Sequence, residues 1–307
     1  MMSLNERQSL KLPLLALALL LLFFIFLWHE SRINAPMRTK TDASNSNLRS
    51  PGHNTSQSSP PELVQRQIPS SDQEREKSAQ QFPADVDAPL EKQAERERLA
   101  MVSSQLAGRD ITDGRVLKAM QRVRRHVFVP ENLRNLAYAD SPLPIGHGQT
   151  ISQPYIVALM TQLGQPGESA RVLDVGTGSG YQAAILAELV QQVYSIEIVC
   201  PLADGARQRL KSIGYNNVEV RCGDGHIGWL EHAPFDVIIV AAAPDSVPQP
   251  LIDQLAPGGR LVIPVGTSYQ ELMVIEKRFD GSIKRWSVAP VRFVPMTGNK
   301  NAEDNVR

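Results

Sequence analysis

The sequence predicts an α/β protein: a Rossmann-like, doubly wound, mostly parallel sheet with a C-terminal antiparallel hairpin, preceded by an apolar helix and a disordered tether. Three observations carry this. From Arg171 onward short β-branched runs alternate with helical stretches, a glycine cluster follows the first run, and the composition changes near residue 90. The chain has 307 residues, 42% of them hydrophobic, which suffices for one large or two ordinary domains. Its 32 basic side chains equal its 32 acidic ones, and the balance holds separately for residues 1–94 and 95–307. A phosphate-backbone binder carries a basic surplus, so no nucleic acid partner is expected. Cys200 and Cys222 are too few for a disulfide framework and lack metal-ligand spacing, so neither a disulfide scaffold nor a metal site is expected.

Taken in order, residues 1–30 form the apolar segment. Leu12 to Trp28 is a charge-free run of 17 residues, between the ~20 of a spanning helix and the ~7–15 of a signal core. No small-residue cleavage site follows, so the run reads as an uncleaved anchor rather than a removed signal. Arg7 and Lys11 precede it while Arg32, Arg38 and Lys40 follow, which leans towards a cytoplasmic C-terminal side. Residues 31–90 read as a linker. Thr41 to Pro61 holds six Ser, three Asn and three Pro with Leu48 as its one large apolar residue, too little to offset chain entropy.

The folded domain is expected over residues 91–307. Glu91 to Ala107 places Leu99, Val102 and Leu106 at helical spacing before Gly108, and Gly114 to Val123 repeats the pattern with Val116, Met120 and Val123. Strands are expected at Arg171–Val175, Gln192–Ile198, Val218–Cys222, Asp236–Val240 and Arg260–Val265. Helices at Tyr181–Val190, Leu202–Ile213 and Pro248–Leu255 separate several of them, the signature of a parallel sheet covered on both faces. Leu272–Phe279, the Asp280-Gly281 turn and Ile283–Val294 form the closing hairpin.

The first strand runs into Asp174-Val175-Gly176-Thr177-Gly178-Ser179-Gly180 directly before a helix. Ligands of open α/β sheets bind outside the carboxyl ends of the strands, where glycine lets the backbone approach. Position 181 is tyrosine, so the dinucleotide G-x-G-x-x-G is not met, and no G-K-[ST] follows for a P-loop. The second strand ends at Glu197, placed to accept ribose hydroxyls, and the third is followed by Gly223-Asp224-Gly225, placed to accept an exocyclic amine. Each feature alone also suits an ordinary turn or a solvated strand end. Three at successive strand ends favour an adenosyl ligand.

This constellation resembles the class I AdoMet-dependent methyltransferases. Pro144 to Tyr155 (PIGHGQTISQPY) is similar to the substrate-side signature of the protein-L-isoaspartate (D-aspartate) O-methyltransferase family. Further matches are Val172 to Gln182, Pro234 to Pro244, Pro257 to Gly266 and Val291 to Thr297, so the resemblance spans roughly residues 100–298. It implies transfer of the methyl of S-adenosyl-L-methionine to the free α-carboxylate of isoaspartyl residues in damaged proteins and peptides. The ester then converts through succinimide to aspartate. A carboxylate of pKa ~3.5 is already ionised at neutral pH, so the chemistry needs no general base. It needs positioning and exclusion of water.

The resemblance implies Ser152 as the catalytic residue, orienting the attacking carboxylate. From spacing alone Ser152 reads rather as a helix N-cap ahead of Gln153-Pro154, and only the resemblance puts the catalytic reading first. The resemblance assigns Asp174, Gly176, Gly178, Gly180, Glu197, Asp224, Gly225 and Thr297 to the cofactor. The glycines face its methionine moiety, Glu197 the ribose and Asp224-Gly225 the adenine, while Thr297 helps close the site. His147 is read as structural, and Tyr155 and Tyr181 as packing. Three rivals stay open: a methyltransferase for another acceptor, a non-catalytic AdoMet-binding scaffold, and a nicotinamide oxidoreductase. Amine methyltransferases carry an Asn/Asp-Pro-Pro-Tyr turn where this chain has Ala241-Ala242-Ala243-Pro244. AdoMet is made in the cytosol, so a cytoplasmic catalytic domain is expected, with Leu12–Trp28 as membrane tether. Oligomeric state is not legible.

Overall fold

The computed structural model describes residues 88–298, and the apolar run and the tether lie outside the described residues. Helix α1 (Ala88–Ala100) continues without a break into a wide turn over Met101–Leu106, where Ala107 N–H reaches Val102 O at 2.9 Å. That extra residue per turn rotates the apolar stripe. Met101, Val102 and Leu106 are buried, while Leu99, expected on the same face, is exposed. Gly108 ends the segment, since a Cβ there would lie 2.8 Å from Ser104 O. Helix α2 (Gly114–Arg122) starts at Asp113, whose carboxylate accepts from Arg115 N–H and Val116 N–H and so serves as the N-cap.

Nine strands follow among the described residues. Strands β1 (Leu143–Gly146) and β2 (Gln149–Ile151) form a small antiparallel hairpin that the sequence reading did not anticipate. Its turn, Gly146-His147-Gly148, holds all three residues at positive φ (91°, 53° and 70°), a backbone that glycine adopts without strain. Helix α3 (Pro154–Gly164) comes next. The main sheet comprises β3 (Arg171–Val175), β4 (Gln192–Glu197), β5 (Val218–Cys222), β6 (Phe235–Val240), β7 (Leu255–Gly266), β8 (Gln270–Lys277) and β9 (Ile283–Val291). Helices α4 (Tyr181–Ala187), α5 (Cys200–Ser212) and α6 (Gln249–Asp253) connect its parallel part.

The strand order is β5-β4-β3-β6-β7-β8-β9, parallel from β5 to β7 and antiparallel from β7 to β9. The doubly wound sheet and closing hairpin are therefore present as predicted. Period-two alternation sends Val172, Val193, Val237, Ile239 and Val262 to one face and Leu173, Ile196, Ile238, Val240 and Leu261 to the other. Each such side chain contributes ~1.5–3 kcal/mol on leaving water. The winding reverses at β3, which has β4 on one side and β6 on the other. A ligand cleft belongs at the carboxyl ends there.

Arg125 ties the N-terminal layer together and to helix α4. It is fully buried, donates from Nε to Ala137 O (2.7 Å) and from Nη2 to Ser141 O (3.3 Å), and its guanidinium lies 5.0 Å from the Tyr181 ring centre. Burial lowers its pKa to about 10, so it stays cationic at neutral pH. These bonds anchor the segment that feeds β1. Among the described residues no helix is long and apolar enough to cross a membrane.

The two cysteines make no framework, yet they are bonded to each other. Cys200 opens α5, Cys222 ends β5, and their Cα atoms are 5.0 Å apart. They are 22 residues apart in the chain and meet because β4 and β5 are adjacent parallel strands.

Candidate active site

A cleft opens at the switch point, at the carboxyl ends of the parallel strands. Its walls come from six places: Gln149 and Thr150 of β2, the end of β3 with the loop after it, the carboxyl end of β4 with Ile198, Gly225 after β5, Ala241 and Ala242 after β6, and the segment Val294–Thr297.

The glycine loop is shaped by backbone bonds. Gly176 and Thr177 donate to Ile196 O (2.8 and 3.2 Å), and Gly180 donates to Thr177 O (2.8 Å), closing a tight turn onto α4. Gly176, Gly178 and Gly180 all have positive φ. Gly176 and Gly178 line the cleft, whereas Gly180 faces α5, where a Cβ would meet Leu210 at 3.2 Å. Glu197 holds the loop to the next helix: its Oε2 accepts from Gly178 N–H (2.8 Å) and its Oε1 from Val199 N–H (2.9 Å). Each carboxylate oxygen keeps further acceptor capacity, and Glu197 lines the cleft.

Asp174 lies beneath the loop and does not line the cleft. It is fully buried, its Oδ2 accepts from Ser195 Oγ (2.7 Å), and Ser195 Oγ in turn receives the Thr177 hydroxyl (2.6 Å). Its Oδ1 has no partner among the described residues. Burial pushes its pKa up to about 7, opposed by the Ser195 bond and assisted by the charge of Glu197.

Asp224 caps the short turn Gly225–Ile227, accepting from His226 N–H at 2.9 Å, with His226 Nδ1 also 2.9 Å from the same oxygen. Gln254 fixes the turn from the far side through Trp229 N–H and Ile227 O, both at 2.8 Å. Gly225 lines the cleft and must be glycine, because a Cβ would lie 2.3 Å from Val175 Cγ1. Asp224 itself is set back from the lining. Beside it runs the closing segment, stitched to the loop after β6 by Met296 N–H to Ala243 O (2.8 Å) and Ala243 N–H to Val294 O (2.9 Å). Thr297 lines the cleft, and Gly298 passes so close to Asp224 that a Cβ would sit 2.5 Å from its carboxylate.

Ser152 follows Thr150 by two residues, half-buried and outside the immediate lining. The N-cap alternative does not hold: Gln153 is the cap of α3 and no side chain caps it. His147 is exposed at the hairpin turn, and Tyr181 is packed against Phe128. Gln149, Thr150, Ile198 and Met296 also line the cleft, although none was assigned a role from sequence, and so do Ala241 and Ala242 of the turn that distinguishes this chain from amine methyltransferases. Gln149 and Thr150 stood within the signature run, and only their place on β2 shows that they reach the cofactor side.

Fold and site together define an AdoMet-dependent methyltransferase of the doubly wound class. A model of the protein-L-isoaspartate(D-aspartate) O-methyltransferase family matches residues 96–301, and the chain belongs to that family. Relatives include a protein-L-isoaspartate O-methyltransferase 2 of Syntrophobacter fumaroxidans, 56% identical over 66% of this chain and 83% of the relative. One from Opitutus terrae is 56% identical over 69% and 92%. Among solved structures, a protein-L-isoaspartate O-methyltransferase superposes with a TM-score of 0.61 at 27% identity, covering 69% of each chain. A Plasmodium falciparum chain described as a beta-aspartate methyltransferase, in complex with S-adenosyl-L-homocysteine, gives 0.57 at 28% identity over 66% of this chain and 99% of that one.

Proposed function

We propose that this protein is a repair methyltransferase that esterifies the free α-carboxylate of L-isoaspartyl residues in damaged proteins and peptides. The observation that carries this reading is that Gln149 and Thr150, from the acceptor-side signature, line the same cleft as the glycine loop and Glu197. Acceptor and donor machinery thus meet in one place. S-adenosyl-L-methionine, when bound, supplies a methyl group on a sulfonium leaving group.

The chain's own residues do the positioning. Glu197 offers its remaining lone pairs to the ribose hydroxyls, Gly176 and Gly178 let the backbone close on the methionine end, and Gly180 shapes the turn. Asp224 and Gly225 take the adenine end, and Asp174 contributes negative field from beneath. Thr297 and its segment cover the opening. The Ser152 hydroxyl donates to the attacking carboxylate and fixes its approach. No residue is required to remove a proton. Orientation and exclusion of water by the hairpin and closing segment supply the rate, a task that contributes ~7–11 kcal/mol in favourable cases.

The domain reading is residues 1–30 as an apolar anchor, 31–90 as a tether and 91–307 as the methyltransferase domain. It is supported by the composition shift near residue 90. A cytoplasmic face for the domain is supported by the source of AdoMet, and a C-terminal reporter active only outside the cytoplasm overturns it.

The decisive experiment incubates the full chain with methyl-labelled AdoMet and two peptides differing only in isoaspartate versus aspartate. Base-labile label on the isoaspartyl peptide alone is expected. Label on neither, with AdoMet binding intact, refutes the acceptor.

A further inference from the structure

The disulfide stands on the rim of the cofactor cleft. In the β4–β5 ladder Cys222 is the register partner of Glu197, and Gly223 N–H donates to Glu197 O at 3.0 Å. Cys200 follows Glu197 by three residues, next to Val199, whose N–H binds Glu197 Oε1. Two residues beyond Cys222 is Asp224. The bond therefore joins two lips, residues 197–200 and 222–225, which carry the two acidic groups assigned to ribose and adenine. Ile198 and Gly225, one from each lip, line the cleft. Both cysteines are solvent-exposed, so a small thiol can reach either sulfur.

We propose that the Cys200–Cys222 bond is a redox-controlled clasp of the cofactor site: closed, it holds the two lips at ligand-ready spacing, and opened by a dithiol it loosens them. This rests on the assignment of Glu197 and Asp224 to the adenosyl ligand. Opening is thiol–disulfide exchange. A reductant thiolate attacks one Sγ, the Cys200–Cys222 bond breaks and a mixed disulfide forms. The reductant's second thiol then displaces the remaining cysteine. Two electrons pass from the dithiol, which becomes a disulfide, and the protein gains two thiols. Cys200, at a helix N-terminus, is the better leaving thiolate. Such exposed bonds persist where conditions are oxidising and open in a reducing cytosol, so the compartment or its redox state sets the clasp. With the clasp open, binding must order both lips, and affinity falls.

The test compares the full chain, purified without reductant, before and after excess dithiothreitol. Thiol titration of the denatured protein is expected to find none before reduction and both cysteines after it. The dissociation constant for S-adenosyl-L-homocysteine is expected to rise roughly fivefold on reduction. The KM for AdoMet should rise with it, while kcat and the peptide KM stay put. Loss of the crosslink also lowers Tm by about 6–12 °C, which any structural disulfide would do, so the KM split is the readout that reports positioning. The C200S/C222S variant should show the weakened constant and ignore dithiothreitol; if it fails to fold, the reduced wild type carries the comparison. Free thiols in the never-reduced chain, or the same constant in both redox states, overturns the clasp. Glu197→Ala separates the two readings. If it weakens binding while reduction does not, the clasp alone falls; if it changes nothing, the lip assignment falls and the clasp with it.

Discussion

Glu197 combines two tasks that a neutral side chain cannot share. Its carboxylate accepts from Gly178 N–H and Val199 N–H, which sets the glycine loop against the start of α5, and it lines the cleft with further acceptor capacity. Charge-assisted bonds of this kind are worth ~1.5–3 kcal/mol each. Glu197→Ala is therefore expected to raise the AdoMet KM about 10–100-fold while the peptide KM is unchanged, as steady-state kinetics will show. An effect confined to the peptide constant contradicts the ribose role. Ser152 is the complementary case. Since it does not cap α3, its removal leaves the helix intact. Ser152→Ala should lower kcat by roughly 10–100-fold, the value of one orienting bond to an anion, with S-adenosyl-L-homocysteine binding preserved by calorimetry. Unaltered turnover refutes its role. Both residues are visible in the sequence as strand-end or motif positions. Their hydrogen-bond partners are not, because Gly178 and Val199 reach Glu197 only through the packing of two βα turns.

Among the elements, the turn after β5 is the most tightly constrained. Gly225 sits where β3, the turn and the closing segment converge, with Val175 Cγ1 at 2.3 Å and Met296 Cε at 3.0 Å from the place of a Cβ. Gly225→Ala must push the Asp224 turn off the end of β3. The expected result is a loss of ~1–3 kcal/mol in stability by urea titration and a raised KM for AdoMet. A variant equal to wild type in both denies that the turn is fixed. The β1–β2 hairpin makes the opposite point about legibility. Its strands are four and three residues long, too short for a period to register, and its turn contains a non-glycine residue, His147, at positive φ. The long strand β7 also exceeds its predicted span of Arg260–Val265. It begins at Leu255 and passes through Ala256-Pro257-Gly258-Gly259, which reads as a turn but is carried in the sheet by a register irregularity opposite β6.

At the scale of the molecule, stability should depend on pH through Asp174. Burial raises its folded pKa to about 7, above the unfolded value of ~3.9. The folded state thus binds the proton more tightly, and this group's contribution is fully present below about pH 4 and lost as pH rises through about 7. Asp174→Asn cannot ionise. Unfolding midpoints of wild type should therefore fall relative to the variant as pH is raised from 4 to 8, without ligand. A constant difference over that range rules the linkage out.

The class of fold, the glycine loop and the acidic strand ends are determined by the sequence itself, because buried parallel strands must be continuous apolar runs and their ends must turn at glycine. Strands β3 and β5 coincide residue for residue with the runs expected from sequence, β3 as a buried central strand and β5 as an alternating edge strand. Tertiary structure alone decided which of those residues meet. It placed Asp174 and Gly180 outside the cleft, brought Gln149, Thr150 and Thr297 into it, and joined Cys200 to Cys222. These are contacts between elements far apart in the chain, set by strand order and register, and no local pattern of residues encodes them.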